Sequence, residues 1–252
     1  MATPHGRPVR ITERFLAQCG DERGMLRGAE ASVQLGEHAG EVAGEERTRG
    51  EMHPRERSAV FTIGHSNHSL EGFFALLGKH RVATVADVRS VPYSRFVRHF
   101  SRQPLASALA ARGIDYLFLG RELGGRPDDP GCYERGRIVY ERVAGTESFR
   151  DGIRRVLRGS AEQRIALMCA EREPLDCHRT LLVAPALEAA GEKVVHILAD
   201  GALERNRAAM DRLIRIHGLQ QGDLFRTRQS RTELIRRAIA LQAGRVGYVN
   251  AR

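Results

Sequence analysis

Between residues 59 and 217, short apolar runs alternate with segments whose apolar residues recur three or four apart. Val60-Phe61-Thr62-Ile63 reads as a first strand, closed by Gly64-His65-Ser66-Asn67. Ser69 can cap a helix on which Leu70, Phe73, Phe74 and Leu77 share one face. Residues 82–88 read as a second strand, and Pro92 ends regular structure after it. A helix over 105–111, a third strand over 114–119 and a loop at Gly124-Gly125-Arg126-Pro127 follow. Phe149, Ile153, Val156 and Leu157 mark another amphipathic helix, and 164–169 a fourth strand. Next come a helix over 180–190 that Pro185 is expected to kink, a fifth strand over 193–198 and a closing helix over 203–216. This alternation predicts an α/β domain, a three-layer, largely parallel sheet with helices on both faces. Ligands of such sheets collect beyond the carboxyl ends of the strands.

The domain at 59–217 leaves two flanks. Residues 1–58 hold nine Arg and ten acidic residues, are rich in Gly, and are expected to be flexible beyond a short helical turn at 11–17. Met52 keeps open a start assigned too far upstream. In the C-terminal extension, 218–252, residues 221–252 carry seven Arg against two acidic residues. Leu234, Ile235, Ile239 and Leu241 predict a basic amphipathic helix there, packing on the core or on a partner. The formal charge of +9 permits a phosphate-bearing small molecule or nucleic acid as partner. The only lysines are Lys79 and Lys193, so an Arg-rich compositional bias fits equally well. A run of about 18 apolar residues is lacking, so no membrane partner is expected. The N-terminus lacks secretory-signal features, and the expected location is cytoplasmic. Four cysteines are too few for a disulfide scaffold in 252 residues. The sequence identifies neither a cofactor nor a protein partner.

A parallel sheet would draw the polar residues that follow its strands to one rim. These are His65 and Ser66, Asp87 and Arg89, Ser94 and Arg95, Gly124, Gly125 and Arg126, then Cys169, Glu171 and His196. Arg89, Arg95 and Arg179 are candidate anion clamps, because a guanidinium fork matches phosphate or carboxylate. Asp87 can orient Arg89, and the competing reading is an ion pair that fixes a loop. Ser94 can bind ligand or cap a turn. Gly124-Gly125 permits a tight anion-facing turn, but it is neither a P-loop nor a dinucleotide fingerprint. Residues 94–100 mix bases with aromatics, which suits a nucleic-acid backbone and equally suits core anchors.

The densest chemistry lies in the segment from Met168 to Arg179. Cys169 should emerge at a strand end and Cys177 near the start of the next helix, where unpaired N–H groups favour a thiolate. Either cysteine can serve as nucleophile. His178 or His196 can exchange a proton, and Glu171 can orient a partner or accept one. Buried, inert cysteines and a satisfied core His196 are the competing readings. Cys169, Cys177, His178 and His65 hold zinc-ligand atoms, but their interval is irregular and no metal is expected.

These residues carry a family resemblance. Thr62-Ile63-Gly64-His65-Ser66, Asp87-Val88-Arg89, Pro92 and Ser94-Arg95 come in the order seen in the DUF488 family. Leu123-Gly124-Gly125, Met168-Cys169-Ala170-Glu171, Cys177-His178-Arg179 and His196-Ile197 continue it, so that residues 59–201 resemble that family. The resemblance implies a compact α/β domain without a generally assigned role, and it supplies no mechanism. The expected function is a hydrolase or group-transfer enzyme acting on a phosphorylated or nucleotide-like ligand through an Arg-lined Cys/Glu/His pocket. The alternatives are a nucleic-acid or nucleotide-binding module without turnover, and a protein-interaction domain.

Overall fold

A computed structural model describes residues 59–219 and 230–250. The expectations for the leader and for 220–229 lie outside the described residues. In chain order the elements are β1 (Val60–Gly64), α1 (Leu70–Lys79), β2 (Thr84–Asp87), α2 (Arg102–Ala110), β3 (Asp115–Phe118) and the single turn α3 (Gly120–Leu123). The hairpin β4 (Tyr133–Glu134) and β5 (Arg137–Ile138) follows, then α4 (Tyr140–Ala144), α5 (Glu147–Glu162), β6 (Ile165–Cys169) and α6 (Ala184–Ala189). The chain continues through β7 (Val194–Ile197), β8 (Leu203–Arg205), α7 (Asn206–Ile216) and α8 (Arg231–Val246).

Six strands form one sheet in the order β3-β2-β6-β1-β7-β8, parallel except for β8 at the edge. The fold is therefore α/β, as expected. Alternation along β6 shows how it is layered. Ala166 and Met168 face the cluster that holds Phe73 and Leu77 of α1 and Leu105 and Leu109 of α2. Ile165, Leu167 and Cys169 face the opposite cluster, with Phe149 and Val156 of α5, Leu187 of α6 and Leu213 of α7. Helices thus cover both faces. Gly64 pairs with Cys169, and Asp87 with Met168, so the segments leaving β1, β6 and β2 emerge side by side.

Three elements differ from expectation. Residues 203–205 form β8, antiparallel to β7, and the helix starts only at Asn206. Leu203-Glu204-Arg205 has helical composition, but edge pairing after the Asp200-Gly201 turn overrides it. The expected helix over 180–190 is not α-helical throughout. A wide π-helical turn over Arg179–Val183 precedes α6, and Pro185 sits in the first turn of α6, where its missing N–H costs little. The hairpin β4–β5 was not expected. It turns through Arg135 and Gly136, both left-handed with φ of 49° and 76°, a two-residue turn that favours glycine at its second position.

The C-terminal helix packs on the core. Ala238 and Gln242 of α8 are buried, and Leu234, Ile235 and Ile239 pack against the same cluster as α5 and α7. Gln242 Nε2 donates to the Leu175 carbonyl (3.2 Å) and to Asp176 Oδ1 (2.9 Å), and its Oε1 pairs with His217 Nε2 (2.9 Å). Beyond it, the Asn250 N–H donates to the Gly136 carbonyl and ties the tail to the hairpin. Among the described residues, no helix is long and apolar enough to cross a membrane.

Candidate active site

A cavity of about 490 Å³ opens above the carboxyl ends of β2, β6 and β1. Its floor is Cys169, Glu171, Cys177 and His178, and one wall is His65, Arg89 and Ser90. Tyr93, Ser94, Gly125 and Arg126 stand at the rim, and Tyr140, Val246 and Tyr248 close the far side.

The floor is built by a strand end and a returning loop. Cys169 is the last residue of β6. The chain then turns at Pro174–Asp176, capped by the Glu173 side chain accepting from the Leu175 N–H at 3.1 Å, and brings Cys177 back beside Cys169. The Cys169 thiol donates to Glu171 Oε2 at 2.9 Å, and the Cys177 thiol to the same oxygen at 3.1 Å. His178 Nδ1 lies 3.8 Å from one sulfur and 3.9 Å from the other. The opposite ring nitrogen, Nε2, donates to the Val88 carbonyl at 3.0 Å. A carbonyl can only accept, so the proton of neutral His178 sits on Nε2 and the lone pair of Nδ1 faces the sulfurs. One ligand atom from each of Cys169, Cys177 and His178 lies within 4.8 Å of the others, a convergence the sequence interval did not predict. His65 is not part of that group.

Crowding sets the protonation of the floor. The hydrogen bond to Cys177, with burial, pushes the Cys169 thiol well up. Burial opposes ionisation of Cys177 too, but the Cys169 thiol, Arg179 and His178 outweigh it and hold Cys177 well below the usual thiol range. Desolvation and the Cys177 charge raise Glu171. Burial is the largest influence on His178 and opposes its charge, but Cys177, Glu171 and the Val88 carbonyl together outweigh it and raise it. Of the two thiols, Cys177 is therefore the first to release its proton, and Cys169 retains its own.

The wall is a closed chain of hydrogen bonds. Arg89 donates from Nε to Asp87 Oδ1 (2.8 Å) and from Nη2 to Asp87 Oδ2 (2.6 Å) and the Phe100 carbonyl (2.8 Å). Its Nη1 meets His65 Nε2 at 3.0 Å, and His65 Nδ1 donates to the Ser66 carbonyl at 2.8 Å. Tyr116, which lies in β3, donates its O–H to Asp87 Oδ2 at 2.7 Å. Burial, then Arg89, lowers His65 to about 4, so it stays neutral at pH 7. Most donors of Arg89 are spent on the protein, and the expected anion clamp is foremost a buried ion pair that fixes the wall.

Other expected site residues go elsewhere. Arg179 is wholly buried, and its guanidinium donates to the Glu171 and Arg172 carbonyls at 2.8 and 3.4 Å. It holds the loop that carries Glu171 and does not line the cavity. That loop passes so close to β1 that a Cβ on Gly64 would overlap the Glu171 carbonyl oxygen. Arg95 is exposed and away from the lining. Ser66 lies outside the lining with its hydroxyl against Asn67. Gly124 is a packing glycine behind the rim, where a Cβ would overlap the Gly120 carbonyl and the Ser90 hydroxyl. Ser94 lines the cavity and also caps its own turn, accepting from the Val97 N–H at 3.1 Å.

His196 is set apart from the cavity. Its Nδ1 meets the Thr62 hydroxyl at 2.8 Å and its Nε2 donates to Asn206 Oδ1 at 3.1 Å, while Asn206 Nδ2 donates to Glu188 at 2.8 Å. Burial lowers His196 to about 4. Both ring nitrogens are committed inside the sheet, which ties β1 to β7 and α7 and leaves His196 no route to a substrate in this cavity.

Sequence reasoning missed Ser90, Tyr140 and Tyr248 in the lining. Ser90 follows Arg89 directly, and its Oγ accepts from the Arg126 N–H at 2.9 Å, which pins the rim loop. The Arg126 guanidinium lies over the Tyr248 ring, 4.5 Å from its centroid.

No curated protein and no solved structure matches the chain significantly. Residues 69–185, which run from the cap of α1 through the whole floor of the cavity, match the family described as "Domain of unknown function DUF488".

Proposed function

We propose that this protein is an enzyme that hydrolyses, or transfers a group from, a small anionic substrate of phosphorylated or nucleotide-like character. One observation carries the reading: two cysteine sulfurs share a single oxygen of Glu171 while the lone pair of His178 faces both, on the floor of an open cavity. Such a cluster can hold, release and redirect protons beside a bound substrate. Glu171 is the group that moves the proton. Arg126 supplies positive charge at the rim, and Tyr93, Tyr140 and Tyr248 offer ring faces to a planar substrate. Arg89 adds to the potential of the wall more than to direct contact.

The test is turnover of a panel of phosphate esters and nucleotides by the full chain. Glu171→Gln should lower turnover by about 100-fold or more, the usual size of a general acid–base contribution. Its unfolding midpoint should stay near that of the unmodified protein. Full turnover in correctly folded Glu171→Gln, Cys177→Ser and His178→Ala variants would remove the cluster from the chemistry.

A second reading has one observation of its own. Phe96 is 93% exposed beside Arg95 and Arg98, with Tyr93 also exposed, an arrangement that can stack on single-stranded nucleic acid. Binding without turnover, weakening steeply with salt and lost in Phe96→Ala, would favour that role.

A further inference from the structure

We propose that Cys169 Sγ, Cys177 Sγ and His178 Nδ1 form a binding site for one thiophilic divalent cation, Zn2+ first among them, with its fourth position open to the cavity. Ion binding rests on geometry alone, and only the role of the fourth position rests on the enzymatic reading above.

The distances fit. A tetrahedral zinc ion, with sulfur at about 2.3 Å and nitrogen at about 2.0 Å, holds its sulfur and nitrogen ligands roughly 3.6 Å apart. The corresponding separations here are 3.8 and 3.9 Å, and the two sulfurs lie within 4.8 Å of each other, so a contraction brings the three atoms to that spacing. The orientation fits as well. The Val88 carbonyl takes the Nε2 proton and leaves Nδ1 free to coordinate, the arrangement by which a backbone acceptor fixes a metal-binding histidine. The donor set of two sulfurs and one imidazole selects zinc over magnesium or calcium, which seek oxygen.

The same geometry accounts for charge. Two thiols and a carboxylate meet at 2.9 and 3.1 Å, and without a cation they cannot all ionise so close together. A dication displaces both thiol protons and offsets the charges that remain. Glu171 Oε2, no longer accepting from the thiols, is then positioned to take a proton from a water in the fourth position. All four groups line the cavity, so that position can be reached by substrate. The site is consequently of the open, three-ligand kind that activates water, in contrast to a closed structural site with four protein ligands.

The experiment uses the full chain purified under reducing conditions without chelator. Elemental analysis should find about one Zn2+ per chain. Cys169→Ser and Cys177→Ser should each weaken Zn2+ retention by more than about 100-fold, beyond the 10- to 100-fold typical of an outer-shell partner. Glu171→Gln should keep the ion while losing turnover. In case the serine variants fail to fold, the unmodified chain is stripped of metal and titrated with Co2+ alone. Thiolate-to-cobalt charge transfer and intense tetrahedral visible bands are expected, displaced by one equivalent of Zn2+. A folded chain that retains no Zn2+ and gives no such absorption overturns the site. Turnover by that metal-free chain would leave the enzymatic reading standing, with Cys177 as the attacking group. An ion bound by both cysteines without turnover on any substrate would support the site and sink the enzymatic reading instead.

Discussion

The wall and the floor of the cavity each set a carboxylate and a histidine among other groups and differ in how their hydrogen bonds balance. On the wall, Asp87, Arg89, His65 and Tyr116 match donors to acceptors, with a full ion pair at the centre. On the floor, two thiols compete for one oxygen of Glu171, and among the described residues the lone pair of His178 Nδ1 meets only those two sulfurs. A matched network rigidifies, and a mismatched one is poised to exchange protons or take up a cation. On the proposed function, the wall belongs to stability and the floor to chemistry, although both sit beyond neighbouring strands.

The largest effect that could break this division is on the wall. Asp87→Ala strands a buried guanidinium and should cost roughly 3–5 kcal/mol in urea unfolding. Glu171→Gln on the floor should leave the midpoint almost unmoved. Equal losses from the two variants would erase the distinction.

The matched networks also predict an acid limit. His65 and His196 both have folded pKa values of about 4, below the ordinary 6.5, so the unfolded chain binds their protons first. Their contribution is fully present above pH 6.5 and is lost as pH falls towards 4, by about 3 kcal/mol per histidine at 1.36 kcal/mol per pKa unit. Unfolding free energy measured across that window should fall steeply, and His196→Gln should roughly halve the slope. An unchanged slope would mean that His196 does not titrate as a buried, fully bonded histidine.

The layers were legible in the sequence because they depend on local periodicity. β2, β3, β6 and β7 fall within runs read from apolar residues, and β1 extends one residue past its run, to Gly64. Edge pairing was not legible, since Leu203-Glu204-Arg205 has no strand pattern and becomes β8 only beside β7. In the site, Cys169, Glu171, Cys177 and His178 could be named because one loop carries them. The destinations of Arg89, Arg179 and His196 could not. Whether an arginine fork meets a ligand or a neighbouring carbonyl depends on contacts outside its own segment, such as the Phe100 carbonyl for Arg89. Tyr248 gave no signal at all, because its place in the cavity depends on α8 docking through Gln242.

That docking gives the smallest of the three effects and the sharpest question. Gln242→Ala removes the donor from the buried Leu175 carbonyl and should cost about 1–3 kcal/mol, the penalty of an orphaned polar group. The helix would still be held by Ala238 and its apolar neighbours, so the fold should survive. Loosening α8 shifts Tyr248 and Val246, which line the cavity opposite the wall, and KM should rise several-fold. The turnover number should stay nearly constant if the tail only shapes the cavity. Leu175 and Asp176, however, lead directly into Cys177. A turnover number that falls along with affinity would show that α8 also sets the position of the second cysteine, and would move the tail from the wall to the floor.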